Sequence, residues 1–338
     1  MDSLTQIVLG AAVGEVLLAK KIGNKAQLLG AVAGTIPDLD VLFTAWMNDP
    51  LVTLQVHRAY SHSILVHFFL AIPFAAISFW WFKKRVSFRA FYWLWFLGFA
   101  THALLDCCTT YGTQFFKPIT NYLVGFNNIS VVDPLYTLPF MILLIICLYK
   151  PAASAVRSKI AWWAVGYSMF YMGLTLVAKW KAHQHFEKEL SRQGLVYHTL
   201  STSPTIFNAA LWAGMAYNDS IMYISEYSVF QSADTATFVA FQRNTLAAEG
   251  FEGEGLSTFL WFSQGKYLME KQGQDTLNIY IAKWGRMGYQ DGGLRNSFPF
   301  YNQLIKTDNG IKIKVVEPHF TAEEFKNGLQ KLGQRIFL

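Results

Sequence analysis

Charge is what this sequence has least of. Only 15% of its 338 residues are charged, against about a quarter in a typical soluble protein. Acid is scarcest at the start: Met1–Ala182 holds seven Asp and Glu against 14 Lys and Arg, while the remainder holds 15 against 14. The net charge of +6 therefore divides as +7 and −1, which places a first domain in lipid and a second in water. No basic stripe interrupts this pattern, so nucleic acid is not an expected partner. Cysteine is equally sparse. Cys107, Cys108 and Cys147 lie in or beside apolar segments; they exclude a disulfide framework and a zinc ribbon and read as buried, inert thiols. There is no Gly-rich phosphate loop, nucleophile elbow or Rossmann pattern. The opening Met-Asp-Ser-Leu lacks the basic n-region of a signal peptide, so residues 4–19 are expected to stay in the mature fold.

What is there instead is apolar length. Ile64–Phe82 and Ile160–Ala178 each run 19 residues without Lys, Arg, Asp or Glu, close to the roughly 20 needed to cross a bilayer. Ala90–Leu105 and Leu135–Tyr149 are shorter but equally apolar. Leu4–Ala19 and Ala26–Ala45 are weaker, broken by Glu15 and by Pro37–Asp40, and read as a thin helical hairpin or as helices packed inside a bundle. The small residues Gly30–Gly34 would let it pack closely. The expected fold is mainly α: a polytopic helical membrane bundle of four to six spans over 1–182, followed by a smaller soluble α+β domain over 196–338. In that second part Met222–Gln231, Gly265–Lys271, Thr276–Tyr289 and Ile311–Glu317 read as strands, and Gln231–Gly255 and Thr321–Leu338 as helical or looped. Thr321-Ala-Glu-Glu324 fits a helix N-cap. Phe207, Trp212, Tyr217, Trp261, Phe262 and Trp284 read as core, and the domain's working role is a cap over the mouth of the bundle.

Basic residues orient the chain. Lys83, Lys84, Arg85 and Arg89 mark one cytoplasmic connection, and Lys150, Arg157 and Lys159 another; Lys20, Lys21 and Lys25 join them. The loop from Asp106 to Pro134 carries Lys117 alone and is expected outside, with everything after Lys179. This topology sends Asp38, Asp40, His57, His62, His102, Asp106 and Asp133 to one non-cytoplasmic face, although only Lys and Arg were used to derive it.

Ionisable groups beside hydrocarbon are costly and usually face a bundle interior or a wet cavity, where they pair or bind something. His102 and Asp106 are four apart and share a helix face; alone they would be a structural hydrogen bond more often than a chelate. Pro37-Asp38-Leu39-Asp40 breaks the second helix and alone would be a turn or cap. His57-Arg58-Ala59-Tyr60-Ser61-His62-Ser63 is more specific, and the planar fork of Arg58 suits an anionic oxygen. Asp133 opens the fifth span, where capping is an even rival. His67 reads as packing or hydrogen-bonding inside the bundle. Asp2 and Glu15, about 20 Å apart on a continuous helix, cannot share one site; Asp2 lies on the outer side and Glu15 pairs within the bundle. His183 and His185 read as interfacial polar residues.

Five motifs in order, MDSLTQIVLGAAVGE at the start, AGTIPDLD at 33–40, HRAYSHS at 57–63, HALLDCCTTYGTQ at 102–114 and VDPLYTLP at 132–139, resemble the YdjM-type family of bacterial and archaeal inner-membrane proteins. The resemblance covers about residues 1–180. It implies a helical membrane domain, a metal-dependent hydrolase activity and a distant relation to zinc-dependent phospholipase C and P1-type nucleases. Many members carry histidine after the N-terminal threonine; here Gln6 follows Thr5, and Gln6 is left out of the expected ligands.

The favoured expectation is a metal-dependent hydrolase of the phosphoesterase kind in a cytoplasmic (inner) membrane, holding one or two divalent ions, zinc before manganese. His57, His62, His102, Asp106, Asp38 and Asp40 are the expected ligands. Asp38 and Asp133 serve as base, and Arg58 holds a substrate anion. The lipid bilayer is the expected partner, with a phospholipid or another amphipathic phosphoester as substrate. The alternatives are an ion- or proton-coupled transporter, whose polar residues should continue toward the cytoplasm, and a scaffold with a closed structural metal.

Overall fold

The computed structural model describes residues 1–83, 85–231, 236–286, 293–308, 310–316 and 321–337. Lys84 of the expected cytoplasmic connection, Ser232–Thr235 within the expected helical or looped stretch, the expected strand ends at Tyr289 and Glu317, and the Glu324 side chain of the expected cap lie outside them. Two compact units emerge, Met1–Thr175 with Ile206–Asn208, and Leu176–Thr205 with Ala209–Leu338.

The first unit is helical: α1 (Ser3–Ile22), α2 (Lys25–Thr35), α3 (Asp40–Met47), α4 (Pro50–Val56), α5 (Ile64–Trp81), α6 (Phe88–Cys107), α7 (Pro134–Leu148) and α8 (Ala155–Arg192), which runs on into the second unit. Among the described residues four stretches are long and apolar enough to cross a membrane: Ser3–Ile22, Lys25–Met47, Ile64–Trp81 and Ala155–Arg192. The helices start where short polar side chains take up free backbone N–H groups: Asp2 accepts from Thr5, Ser63 from Val66, Ser87 from Ala90, and Asp133 from Leu135 and Tyr136. α1 stops at Gly23, whose φ of 64° other residues rarely adopt. α8 is 38 residues long, far beyond the expected Ile160–Ala178: no proline interrupts it, and it carries Gly166 and Gly173 within its length.

α1 and α2 form the hairpin anticipated from their small residues. A Cβ on Gly10 would lie 2.2 Å from the Gly30 carbonyl oxygen, one on Gly14 2.0 Å from that of Ala26, and one on Gly34 2.3 Å from that of Gln6. No side chain fits at those three positions, so the backbones touch directly. α6 packs as closely, with a Cβ on Gly98 reaching 2.5 Å from that of Ala33. Around this contact Leu18, Ala26, Ala71, Ala75, Phe91, Leu94, Trp95 and Phe99 form one buried cluster; Val8, Ala12, Leu105, Tyr136, Phe140 and Ala164 form another.

At the end of α1 remote from Gln6, the Arg157 guanidinium grips Glu15 with a two-pronged fork, Nε to Oε1 at 2.6 Å and Nη2 to Oε2 at 2.7 Å. Gln27 donates to Glu15 Oε2 at 2.9 Å, and Arg157 Nη1 donates to Asn24 Oδ1 at 2.7 Å. Glu15 therefore pairs inside the bundle, as expected. Arg157, counted from sequence as a loop charge, is 2% exposed and ties α8 to the α1–α2 hairpin.

The second unit carries two antiparallel four-stranded meanders, β1 (Thr199–Pro204), β2 (Leu211–Tyr217), β3 (Ile221–Ser228) and β4 (Val239–Gln242), then β5 (Tyr267–Gln272), β6 (Thr276–Ile281), β7 (Tyr301–Thr307) and β8 (Gly310–Val316). Helix α9 (Glu254–Ser263) links them, α10 (Leu294–Ser297) precedes β7, and α11 (Ala322–Phe337) follows β8. Met215 and Ile224 of the first sheet pack with Leu268 and Tyr280 of the second. Phe186 of α8 packs with Trp212 at the first sheet, in space that Gly214 leaves free. The fold class is therefore a helical bundle plus an α+β region. β1, β2, β4 and β7 escaped the sequence reading. β2, Leu-Trp-Ala-Gly-Met-Ala-Tyr, is buried along six of its seven positions and shows no alternation.

Replacing Arg157 by Gln leaves the Glu15 carboxylate buried without its counter-charge, and should cost about 3–5 kcal/mol of stability in detergent. The Glu15→Gln/Arg157→Gln pair should recover most of that loss; additive losses in chemical denaturation would show that the two are uncoupled.

Candidate metal centre

The apolar stretch brings six of its seven notable groups together. Asp38, His62, His102 and Asp106 present ligand atoms within 4.8 Å of one another, and Asp38, Asp40 and His57 form a second such group. Asp38 lies in the 3-10 turn Ile36–Leu39 that ends α2, and Asp40 begins α3. His57 caps the end of α4, and His62 closes the turn Tyr60–His62 before α5. His102 and Asp106 lie on one face of α6. His62, His102 and Asp106 have fully buried side chains, whereas those of Asp38 and His57 are 19% and 16% exposed. The cluster therefore has an open side.

Hydrogen bonding settles which nitrogens face inward. His102 Nδ1 donates to the Gly34 carbonyl at 2.7 Å, leaving Nε2 as a lone pair. The Ser61 hydroxyl donates to Asp40 Oδ2 at 2.5 Å, so it accepts from His62 Nδ1 at 2.9 Å; His62 Nε2 is then also a lone pair. The two Nε2 atoms stand 3.1 Å apart. Asp38 Oδ1 lies 3.4 Å from each, and Asp106 Oδ2 lies 2.9 Å from His62 and 3.6 Å from His102. Four acceptors thus share one small space, and Asp38 Oδ1 is buried without a hydrogen-bond partner. Only a cation or protons relieve that arrangement. Ligand arms of about 2.0–2.1 Å around a tetrahedral zinc give edges of about 3.3–3.4 Å, inside the 2.9–3.6 Å spread of these contacts. The donor set can chelate a divalent metal.

The surroundings hold the ligands in place. Asp106 Oδ1 receives the Met1 α-ammonium and Gln6 Nε2, the latter at 3.0 Å. Arg58 places Nε 3.2 Å from Asp106 Oδ2, donates from Nη1 to Thr109 Oγ1 at 3.2 Å, and lies over the Tyr111 ring. Its backbone, at a φ of 60°, donates to Asp40 Oδ2 and accepts from Gln114 N–H; a long side chain held there marks a constrained segment. Asp40 Oδ1 meets His57 Nδ1 at 2.8 Å. Burial alone would lower the His62 imidazole pKa, but the Asp106 and Asp38 carboxylates carry it above the ordinary value.

Asp133 joins neither group. It caps α7 and accepts the Tyr171 hydroxyl on both oxygens, at 3.0 and 2.9 Å. Asp2 caps α1, and His67 meets the Ser61 carbonyl through Nε2 at 2.6 Å. Gln6 was the residue missed. Its only sequence signal is a polar side chain on an apolar helix, and it is 1% exposed beside Asp106.

The fold and this cluster define a membrane-associated helical protein with a buried His/Asp cluster able to chelate a divalent metal. Residues 1–182 match the family described as YdjM inner membrane protein, and the chain belongs to that family. No match was found among curated proteins or among solved structures.

Purified protein folded with zinc present should carry the metal. His62→Ala and His102→Ala should lose it while staying membrane-inserted, and Asp133→Asn should keep it, by elemental analysis. Protons compete for the His62 nitrogen, whose pKa is raised, so retention should weaken as pH falls, beginning above the ordinary imidazole range. Metal content unchanged across that range, or in the histidine variants, contradicts this ligand set.

Proposed function

We propose that the protein is a membrane-bound metal-dependent hydrolase acting on a phosphoester, with zinc as the preferred ion and manganese as the substitute. The supporting observation is the inward-facing pair of imidazole lone pairs and two carboxylate oxygens, beside which the Asp38 and His57 side chains remain partly exposed. A closed structural metal would be sealed on every side. His62, His102 and Asp106 would hold one ion, with Asp38 beside the position left open for water. Asp40 and His57, sharing Asp38, offer a place for a second.

A divalent ion in this position supplies Lewis acidity, lowering the pKa of water toward about 7 and polarising a phosphoryl oxygen. The chain's own groups do the rest. Asp38, the more exposed carboxylate, is placed to take the proton that water gives up. His57, held by Asp40 through Nδ1 and 16% exposed, would be the group that returns a proton to the leaving alcohol. Arg58 steadies Asp106 and adds positive charge beside the anionic substrate. Asp133 serves α7 as its cap.

Transport is the weaker reading. Between Gln6 and Glu15, about 13 Å along α1, the helix buries only Val8, Gly10, Ala11, Ala12 and Gly14, so α1 offers no polar path from the cluster to the other end. The distribution of Lys and Arg supports a site on the non-cytoplasmic face, with 1–182 as the membrane domain and 196–338 as the soluble one.

Zinc-loaded protein should hydrolyse bis(4-nitrophenyl) phosphate, and His102→Ala and Asp106→Asn should each lower turnover at least about a hundredfold. Metal-loaded protein without activity on any phosphodiester, or variants as active as the parent, would sink the reading.

A further inference from the structure

The open side of the cluster borders an unusual segment. Between the two outer ligands Asp40 and His57 the chain forms α3 and α4, and its one charged residue is Asp49, spent on capping α4. Thr44 is the only buried residue of α3, and α4 has none. Yet Leu42 is 66% exposed, Phe43 50%, Trp46 80% and Met47 46%. A hairpin with so much bare hydrocarbon and so little charge suits lipid rather than water. It also continues the Lys25–Met47 stretch, which is itself long and apolar enough to lie in a membrane. The least buried ligands, Asp38 and His57, stand at the base of this hairpin, so an apolar surface and a phosphate-seeking site adjoin.

We infer that the α3–α4 hairpin lies in the lipid leaflet and that the site draws its substrate from there. That substrate is a bilayer lipid whose acyl chains lie along Leu42, Phe43, Trp46 and Met47 while its phosphodiester headgroup reaches Asp38 and His57. The inference rests on the hydrolase reading and gives it a substrate class. The reaction is plain hydrolysis: the phosphorus–oxygen bond to one alcohol breaks and a bond from phosphorus to the water oxygen forms. One water proton ends on the released alcohol, and the products are that alcohol and a phosphomonoester. No oxidant or reductant is needed.

The test uses the full-length, zinc-loaded protein in vesicles of phosphatidylethanolamine and phosphatidylglycerol, with bis(4-nitrophenyl) phosphate as the water-soluble comparison. For a Phe43→Ser/Trp46→Ser variant, lipid hydrolysis should fall about tenfold or more while the soluble ester stays within about twofold. Equal loss on both substrates, or unchanged lipid hydrolysis, overturns the inference, as does a parent protein that cleaves the ester and not the lipid; in those cases the hydrolase reading stands. A parent that cleaves neither overturns both. A second readout does not need turnover. The tryptophan emission lost on Trp46→Phe substitution should be quenched by vesicles with brominated acyl chains, and an unquenched difference overturns the lipid placement by itself. If the double variant folds poorly, Leu42→Ser serves in its place.

Discussion

Two imidazole nitrogens and two carboxylate oxygens face one another with no donor between them, and this crowding of lone pairs organises the first unit. In an apolar bundle such a group is tolerable only with a cation or protons at its centre and with each outer edge held by a partner. The partners come from the whole unit: the carbonyl of Gly34 for His102, Ser61 and through it Asp40 for His62, and Gln6 and Arg58 for Asp106. Each sits on a different segment. The centre is therefore as much a consequence of how helices pack as of which ligands are present.

Close backbone contact makes that packing possible. Glycines at 10, 14, 30 and 34 let α1 and α2 touch, and Gly98 lets α6 come down on Ala33. This proximity carries the Gly34 carbonyl to His102 and the Gln6 amide to Asp106. Away from the centre, the Glu15–Arg157 pair holds α8 against the same hairpin. Bulk at the glycines or loss of the pair would disturb the ligands without touching one of them.

Much of this was legible in the residues themselves. Apolar length and missing charge announced the helical spans, and His102 with Asp106 announced a shared helix face. Small residues at 30–34 announced a tight hairpin. Less legible were groups whose meaning depends on a partner far along the chain. Gln6 looked like a departure from a motif until it was seen against Asp106, 100 positions away. Arg157 looked like a loop charge until its fork closed on Glu15. Asp133 carried a cap and a ligand reading in equal measure, and only its bonds to Leu135, Tyr136 and Tyr171 separate the two. In the second unit, β2 concealed itself because a strand buried on both faces loses the alternation that marks one.

By itself the sequence determined the helical membrane character of the first part, its family and the chemical types at the centre. These follow from local quantities: hydropathy over a window, spacing on a helix, the residues inside a motif. The tertiary structure alone decided that Asp38, His62, His102 and Asp106 converge, which nitrogen of each imidazole points inward, and that Asp133 stands apart. Those outcomes depend on how closely helices approach and on hydrogen bonds between distant segments, and neither is a property of any one stretch of chain.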